Sequence, residues 1–306
     1  MTCQVIHKKI YSLDNSIESA AIVEPGEVFT VKLQNAFGES FNSEEEFVNF
    51  LSDDERKKKF NHPCTGPIEI RTDEENISLA IHILDTKATR GYQCVSKSTG
   101  FLKDKFKERN CTLMHFDNDQ RIKYGEDLII NTHPKIGFIS TIDQHVRSPG
   151  RTSENGGNLD LNYLDKGSII YLPVNDKRAR IAIGDLHACQ GNGEAAGIAI
   201  EADGEVTLRI DIVDKINFPI IRDSRRLIIV GWGESMDECL KRCVENAQIF
   251  FKRVFPFCNW HEAEIYKFLS AEGNLVLGNS TGKVVTAGMV FYQKRLLNKY
   301  DFPIFG

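Results

Sequence analysis

The chain has 306 residues, and 38 lysines and arginines against 43 aspartates and glutamates give it a formal charge of −5. Hydrophobic residues make up 41% of the sequence, which excludes a disordered chain and is enough for a large folded core. The acidic balance gives no electrostatic basis for binding nucleic acid or an anionic membrane surface. Neither is therefore expected as a partner.

The compartment is predicted from apolar runs and cysteines. No apolar run approaches the roughly 20 residues that a membrane-spanning helix needs, and residues 1–16 mix charged and polar residues in a way unlike a secretion signal. The eight cysteines contain no CxxC pair, which is typical of reduced packing residues. The expectation is a cytoplasmic protein without structural disulfides.

Short β-type runs dominate the chain, with apolar residues alternating as in strands that have one buried face. The predicted strands are residues 26–33, 77–85, 168–172, 178–183, 197–200, 205–213, 226–230 and 283–291. The turn residues 202–204 (Ala-Asp-Gly) predict a hairpin between the two strands that flank them.

Helices are few, but their starts are well marked. Ser43 and Ser235 each begin a capping-box pattern with a glutamate three residues later, and Asn259 begins a similar one. After Ser235, apolar residues at helical spacing predict one long amphipathic helix, and a second runs from about 260 to 271, before Gly273. Strands first and a helix pair last predict an α+β fold that is mainly β. We divide it into residues 1–145, 146–230 and 231–306.

Two short motifs match known fingerprints but lack their structural context. Residues 191–196 fit the loose dinucleotide pattern GxGxxA, and residues 278–282 fit the nucleophile pattern GxSxG. Both fingerprints require a helix directly after the loop. Here an extended run follows each motif, so neither a dinucleotide site nor a serine nucleophile is predicted.

The richest polar segment is residues 184–194, GDLHACQGNGE. In an extended chain, residues two apart point to the same side, so Asp185 and His187 would lie together. A carboxylate and an imidazole at this spacing suit Zn²⁺ or a similar divalent ion, and the glycines allow Glu194 to fold back toward them. The same residues equally suit a polar turn in which Asp185 orients His187.

Two further segments carry candidate residues. Residues 154–160, ENGGNLD, contain paired glycines that allow a tight backbone, with Asn158 and Asp160 after them. Residues 62–67, HPCTGP, form a stiff turn whose titratable group is His62. Taken alone, each segment is also typical of a surface turn.

Together, the three segments resemble the acetamidase/formamidase family. GDLHACQGNGE is similar to its GD-x-HAAxGDGE signature, ENGGNLD to its HGGNxD segment and HPCTGP to its HPxTGP segment. Residues 23–38, 171–174 and 285–291 are further segments that resemble the family, and they follow one another in the same order. The resemblance implies hydrolysis of small linear amides in a cytoplasmic homo-oligomer, a dimer or higher. It further implies a divalent metal such as zinc and a jelly-roll-like β-sandwich in the N-terminal part.

Two departures bear on the expected site. Asn155 stands where many members of the family have histidine, and Asn192 replaces the aspartate of GDGE. The first removes a possible ligand or proton carrier, and the second removes a negative charge beside Glu194.

From their positions in these motifs, we assign hypothetical roles to the candidate residues. Asp185, His187 and Asp160 are the expected metal ligands, and Glu194 is the expected general base. Hydrogen bonds to the amide oxygen would come from Asn158 and Gln190, while His62 would orient water or serve as a further ligand. Two alternatives stay open. One is a cysteine amidase with Cys189 as nucleophile and His187 as base. The other is a non-catalytic member of the family that binds a small molecule.

Overall fold

The structure is a computed structural model that describes residues 4–55, 62–95, 98–254 and 260–295. Nineteen strands and three α-helices lie in these ranges. The strands are β1 (Gln4–Ile6), β2 (Lys9–Ile10), β3 (Ala21–Val23), β4 (Val28–Leu33), β5 (Cys64–Ile70), β6 (Ile77–Val95), β7 (Asn110–Met114), β8 (Arg121–Tyr124), β9 (Leu128–Asn131), β10 (Lys135–Thr141), β11 (Thr152–Ser153), β12 (Gly156–Asn158), β13 (Ile169–Pro173), β14 (Ala179–Cys189), β15 (Ile200–Asp214), β16 (Ile220–Arg222), β17 (Arg226–Gly233), β18 (Asn274–Leu277) and β19 (Val285–Tyr292). The helices are α1 (Glu44–Ser52), α2 (Met236–Val254) and α3 (Glu262–Glu272).

Continuous backbone pairing joins seventeen of the strands into one large sheet, and β8 pairs with β9 separately. The pairs are antiparallel except for β1 with β4 and β3 with β5. The main core lies inside this sheet and consists of isoleucines, leucines and valines whose alternate positions face inward. Each such side chain stabilises the fold by about 1.5–3 kcal/mol when fully buried. The predicted α+β fold, mainly β, is confirmed.

The predicted hairpin at residues 202–204 is wrong. These residues lie inside β15, which pairs with β6 without reversing direction. Asp203 pairs with Arg90 and Gly204 pairs with Ala88, so the Asp-Gly pair lies opposite a bulge of β6 at Thr89. Gly204 is needed there because a Cβ would lie 2.0 Å from the carbonyl oxygen of Lys87. Asp203 accepts hydrogen bonds from Asn35 and Ser40, which fixes it in the sheet.

The helices begin as their capping patterns predict. The backbone N–H of Glu46 donates to Ser43 Oγ at 3.1 Å, and that of Glu238 donates to Ser235 Oγ at 3.2 Å. Helix α2 buries its apolar face on β17 and β19, and α3 packs beside it. Asn259, which the sequence suggests as a cap, lies outside the described residues. No described helix has both the length and the apolar character needed to cross a membrane.

Strand β14 lies at the centre of the sheet and connects regions that are distant in sequence. It pairs with β10 along one edge, and with β5 and then β15 along the other. Strand β13 pairs with β6, so strand pairs cross the predicted boundary between residues 145 and 146. The division into residues 1–145, 146–230 and 231–306 stays a prediction.

Candidate metal and active site

Strand β14 places the first two candidate ligands. It continues through the GD segment, and Asp185 and His187 are both buried near its end. The Nε2 atom of His187 lies 3.4 Å from Asp185 Oδ1. The expectation that this carboxylate and this imidazole lie together is therefore met.

Asp160 reaches the same place from another part of the chain. It follows β12, which pairs with β10, and its backbone N–H donates to the carbonyl of Gly137 on β10 at 3.2 Å. Its Oδ1 atom lies 4.0 Å from Nε2 of His187. The Asn158 side-chain amide donates to Asp160 Oδ2 at 2.6 Å, which orients the carboxylate.

Gly137 provides the space in which these groups meet, and no sequence motif pointed to this residue. A Cβ at this position would lie 2.6 Å from Asp185 Oδ2, 2.7 Å from Asp160 Oδ1 and 2.8 Å from His187 Cε1. Real Cβ atoms almost never approach other atoms so closely. Any other residue at this position would displace the candidate ligands.

Glu194 also reaches this cluster, through a turn formed by residues 191–197. The Gly193 N–H donates to the Leu277 carbonyl at 3.0 Å, and Ser280 Oγ donates to the Gly193 carbonyl. The loops that carry the two rejected fingerprints are therefore hydrogen-bonded to each other, and together they position Glu194. As predicted, no helix follows either of them.

Glu201 is the site residue that sequence reasoning missed. It lies opposite His187 in the pairing of β15 with β14, and its Oε2 atom is 3.5 Å from His187 Nε2. Its Oε1 atom accepts from the Ala199 N–H at 3.2 Å. The sequence did contain a signal, since a glutamate inside the apolar run 198–202 is expected to be a buried acid. The wrong hairpin prediction placed Glu201 next to a turn, so this signal was missed.

The resulting cluster contains two possible metal triads that share one imidazole. In each triad, one donor atom per residue lies within 4.8 Å of the others. The triads are Asp160, Asp185 and His187, and His187, Glu194 and Glu201. Among the described residues, Oδ1 of Asp160, Oδ1 of Asp185 and Oε2 of Glu201 have no hydrogen-bond partner. Buried acceptors are normally paired, so these atoms indicate a missing ligand.

Backbone strain is concentrated in the same cluster. Six described residues other than glycine have positive φ, and four of them are candidate site residues. These are His62 (52°), Asp160 (47°), Asp185 (56°) and Glu194 (40°). Such conformations cost about 1–3 kcal/mol each and persist where the surrounding structure imposes them. They direct side chains where a regular strand or turn would not.

The protonation of the metal-free cluster reflects several acids around one imidazole. Burial raises the pKa of Asp160 well above its usual value, and that of Glu194 to about 8. Burial also raises the pKa of Glu201. For Asp185, burial is outweighed by the positive charges of His187 and His62, and the pKa is lowered to about 2. For His187, burial is outweighed by Glu201 and Asp185, and its pKa is raised.

The remaining predicted residues differ in their placement. His62 lines the cavity above the cluster, because Pro63 passes beside Gly184 where β5 pairs with β14. Asn158 also lines the cavity. Gln190 does not: it follows a register shift at the end of β14, and its side-chain amide has no partner among the described residues. Its predicted contact with substrate is not supported by this placement.

Cys189 lies outside the described lining of the cavity. Its thiol donates to the carbonyl of Asn131 at 3.7 Å. Burial raises the pKa of this thiol, which disfavours the thiolate that a nucleophile requires. This environment is typical of a packing cysteine.

The two departures from the family pattern also lie away from the ligands. Asn155 is fully buried, donates to Asp143 and accepts from Asn175 Nδ2 at 2.6 Å. Asn192 Nδ2 donates to the Tyr163 hydroxyl at 3.3 Å. Neither side chain lines the cavity in the described part of the chain. Both asparagines therefore support the loops that carry the cluster.

The cluster lies at one end of a cavity of about 780 Å³. Its described lining includes Asn158, Asp160, Asp185, His187, Glu194 and Glu201, together with His62. Buried acids, an imidazole and a cavity that admits a small molecule form an arrangement suited to metal-assisted hydrolysis.

Comparisons with known proteins agree with this arrangement. Residues 139–224, which contain six of the seven cavity residues just named, match the model of the Acetamidase/Formamidase family. A putative formamidase of Schizosaccharomyces pombe is 47% identical over 66 residues, 21% of this chain and 16% of that protein. A formamidase of Methylophilus methylotrophus is 30% identical over 112 residues, 33% of this chain and 28% of that protein. The matched segments thus span less than a third of these relatives.

Solved structures extend the similarity of fold to nearly the whole chain. An acetamidase of Bacillus halodurans superimposes with a TM-score of 0.87 at 23% identity, covering 95% of this chain and 98% of that one. A predicted acetamidase/formamidase of Thermoanaerobacter tengcongensis gives 0.88 at 21% identity, covering 96% of both chains. The resemblance of this chain to the acetamidase/formamidase family is therefore confirmed, in sequence over residues 139–224 and in fold over nearly its full length.

Proposed function

We propose that this protein hydrolyses small linear amides, such as formamide or acetamide, to a carboxylate and ammonia by metal-activated water. One observation carries the proposal. Asp160, Asp185 and His187 are buried at the end of a cavity, their donor atoms face one another, and two of the carboxylate oxygens lack a partner among the described residues. All three lie in the segment that matches the family.

The donor set fits a divalent metal. Two carboxylate oxygens and an imidazole nitrogen suit Zn²⁺, which is our choice of ion. The donors converge over Gly137, because this residue has no Cβ and side-chain atoms of Asp160, Asp185 and His187 take up the space where one would lie. A bound Zn²⁺ lowers the pKa of its water toward about 7 and polarises a carbonyl. Glu201 is available as a further ligand through its Oε2 atom.

The protein's own residues would handle the substrate and the proton. In its ionised form, which without metal requires a pH near or above its pKa of about 8, Glu194 accepts the proton of the attacking water and passes it to the departing amine nitrogen. Asn158 has one amide N–H committed to Asp160, so its other N–H can donate to the amide oxygen. Its Oδ1 atom has no partner among the described residues and can accept from the substrate NH₂ group. His62 orients water or substrate from above.

Ammonia release tests the proposal directly. Purified protein should release ammonia from formamide, acetamide or propionamide when Zn²⁺ is supplied, and a chelator should abolish the release. Glu194→Gln should fold, retain metal and lose about 10²–10⁴ in rate, because the proton carrier is gone. The matched control is Glu245→Gln on the exposed face of α2, which should keep full activity.

Each alternative gives a different result. Release that resists the chelator and is lost in Cys189→Ala would identify a cysteine amidase. Binding of amides without ammonia release would identify a non-catalytic member of the family. The homo-oligomer and the cytoplasmic location implied by the resemblance stay predictions, and light scattering and cell fractionation would test them.

A further inference from the structure

The cavity is much larger than formamide or acetamide. The described residues line a half-open cavity of about 780 Å³, whereas one water occupies about 30 Å³ in the liquid, so a four-atom amide displaces on the order of 100 Å³. Cavities of roughly 300–1,000 Å³ usually enclose ligands of drug size. With the amide on the cluster, most of the space remains for other substrate atoms.

One wall of this remaining space is apolar. Phe37, Phe50, Leu51 and Ile198 line the cavity and belong to the hydrophobic cluster around α1. Aliphatic and aromatic surface of this kind favours a hydrocarbon chain over water. The substrate that fits the wall has several methylene groups next to its amide.

Cationic side chains line the cavity as well. They are Arg109, Arg151 and Lys283, and none of them forms an ion pair with any residue in the described ranges. Arg151 lies beside Asn158, whose N–H donates to the Arg151 carbonyl at 3.4 Å. Lys283 follows the loop in which Ser280 bonds to Gly193, on the side of Glu194. Outside the acidic cluster, the described lining holds these three cations and one acid, Asp54, so this part of the cavity favours an anion.

We propose that the preferred substrate is the monoamide of a linear dicarboxylic acid. Its amide would lie on the acidic cluster, its methylene chain on the apolar wall, and its carboxylate against Arg151 and Lys283. The reaction converts the amide and one water into a dicarboxylate and ammonium: the C–N bond breaks, a C–O bond forms, and the leaving NH₂ nitrogen takes both protons of the water. This inference rests on the proposed amide hydrolysis and specifies its substrate class.

A charge series at constant chain length tests the inference. The substrates are adipamate, hexanamide and 6-aminohexanamide, which carry −1, 0 and +1 at the end distant from the amide, with acetamide as the reference amide. With Zn²⁺ supplied, kcat/KM for adipamate should exceed that for hexanamide by about tenfold or more, and 6-aminohexanamide should be slowest. Added salt should reduce the difference.

Variants locate the effect. Arg151→Gln and Lys283→Gln should each lower the ratio of kcat/KM for adipamate over hexanamide, mainly through KM for adipamate. Both residues are exposed, so the variants should fold as the parent does. Lys241→Gln removes an exposed lysine on α2 and should leave the ratio unchanged, which separates local contact from a change in net charge.

The outcomes distinguish the two proposals. Hydrolysis of acetamide with equal rates across the charge series would overturn the dicarboxylate inference and leave amide hydrolysis intact. The cations would then only offset the acids of the cluster. A preference for adipamate over hexanamide that is unchanged in Arg151→Gln and in Lys283→Gln would also overturn the dicarboxylate inference. If no amide, including acetamide, releases ammonia, the proposed function fails and this inference falls with it.

Discussion

Two buried charged regions on strand β14 differ in how their polar atoms are paired. Arg180 is fully buried, and its Nη atoms donate to the carbonyls of Asn15 and Ile17 at 3.0 and 3.2 Å and to Asp176 at 3.0 Å, so that within the described residues only its Nε atom lacks a partner. Five residues later, Asp185 belongs to a cluster in which three carboxylates each have one oxygen without a hydrogen-bond partner among the described residues. A buried charge with its partners supports the fold. A buried charge without them indicates a ligand.

The backbone shows the same contrast. Arg180 continues the regular pairing of β14 with β5, whereas Asp185 has a positive φ. Unpaired acceptors cost about 1–3 kcal/mol each, and the strained conformations add to this cost. The cluster therefore lowers the stability of the metal-free fold, and metal binding would recover that stability.

The largest expected effect is the loss of activity in His187→Ala. This imidazole is shared by both candidate metal triads, so its removal should abolish tight metal binding and lower the rate of amide hydrolysis by about 10³–10⁴. Metal analysis of the purified variant and ammonia release measure the two effects. The control is His82→Ala. His82 lies on β6 opposite Ile169 of β13 and outside the described lining of the cavity, so this variant should retain metal and activity. Normal metal content in His187→Ala would remove this residue from the site.

Arg180→Met tests the region of β14 in which the buried charge is paired. Removing one partner of a buried ion pair leaves Asp176 without its cation, so the free energy of unfolding should fall by about 3–5 kcal/mol. Denaturant unfolding measures this. Asp185→Asn should cost less in metal-free protein, because Asp185 Oδ1 lies 3.4 Å from His187 Nε2 without a hydrogen bond, although the charge that is lost beside His187 removes some stability. A loss in Asp185→Asn as large as in Arg180→Met would contradict the distinction between the two regions.

Gly137→Ala should damage the site more than the fold. The added methyl would lie 2.6–2.8 Å from atoms of three candidate ligands, which must then move. We expect the rate to fall by about 10², with weaker metal binding, since small displacements of catalytic groups cost this much. Rates and metal titration check the expectation. Gly167→Ala is a control with no atom within 4 Å of its added Cβ, although its positive φ makes some loss of stability expected.

The parts of the site that the sequence could predict are those encoded locally. Asp185 and His187 lie two residues apart on one strand, and the capping serines act within one helical turn, so pattern alone predicted their placement. Gly137 and Glu201 join the site through pairing between distant strands, β10 and β15 with β14. No local pattern records such pairing. The hairpin error had the same origin, because Asp-Gly suits both a turn and the position opposite a bulge, and only the long partner strand β6 decides between them.

The smallest expected effect is that of Cys189→Ala, and it sharpens the comparison because Cys189 is only two residues from His187. Its thiol contacts the carbonyl of Asn131 instead of the cavity, and burial raises its pKa. Removing a weak donor and a small apolar volume should cost about 1 kcal/mol or less of stability and leave the rate of ammonia release unchanged. Thermal unfolding and initial rates, measured beside His187→Ala, test this. A folded but inactive Cys189→Ala would contradict the packing role of Cys189. It would make the sulfur of this residue the nucleophile.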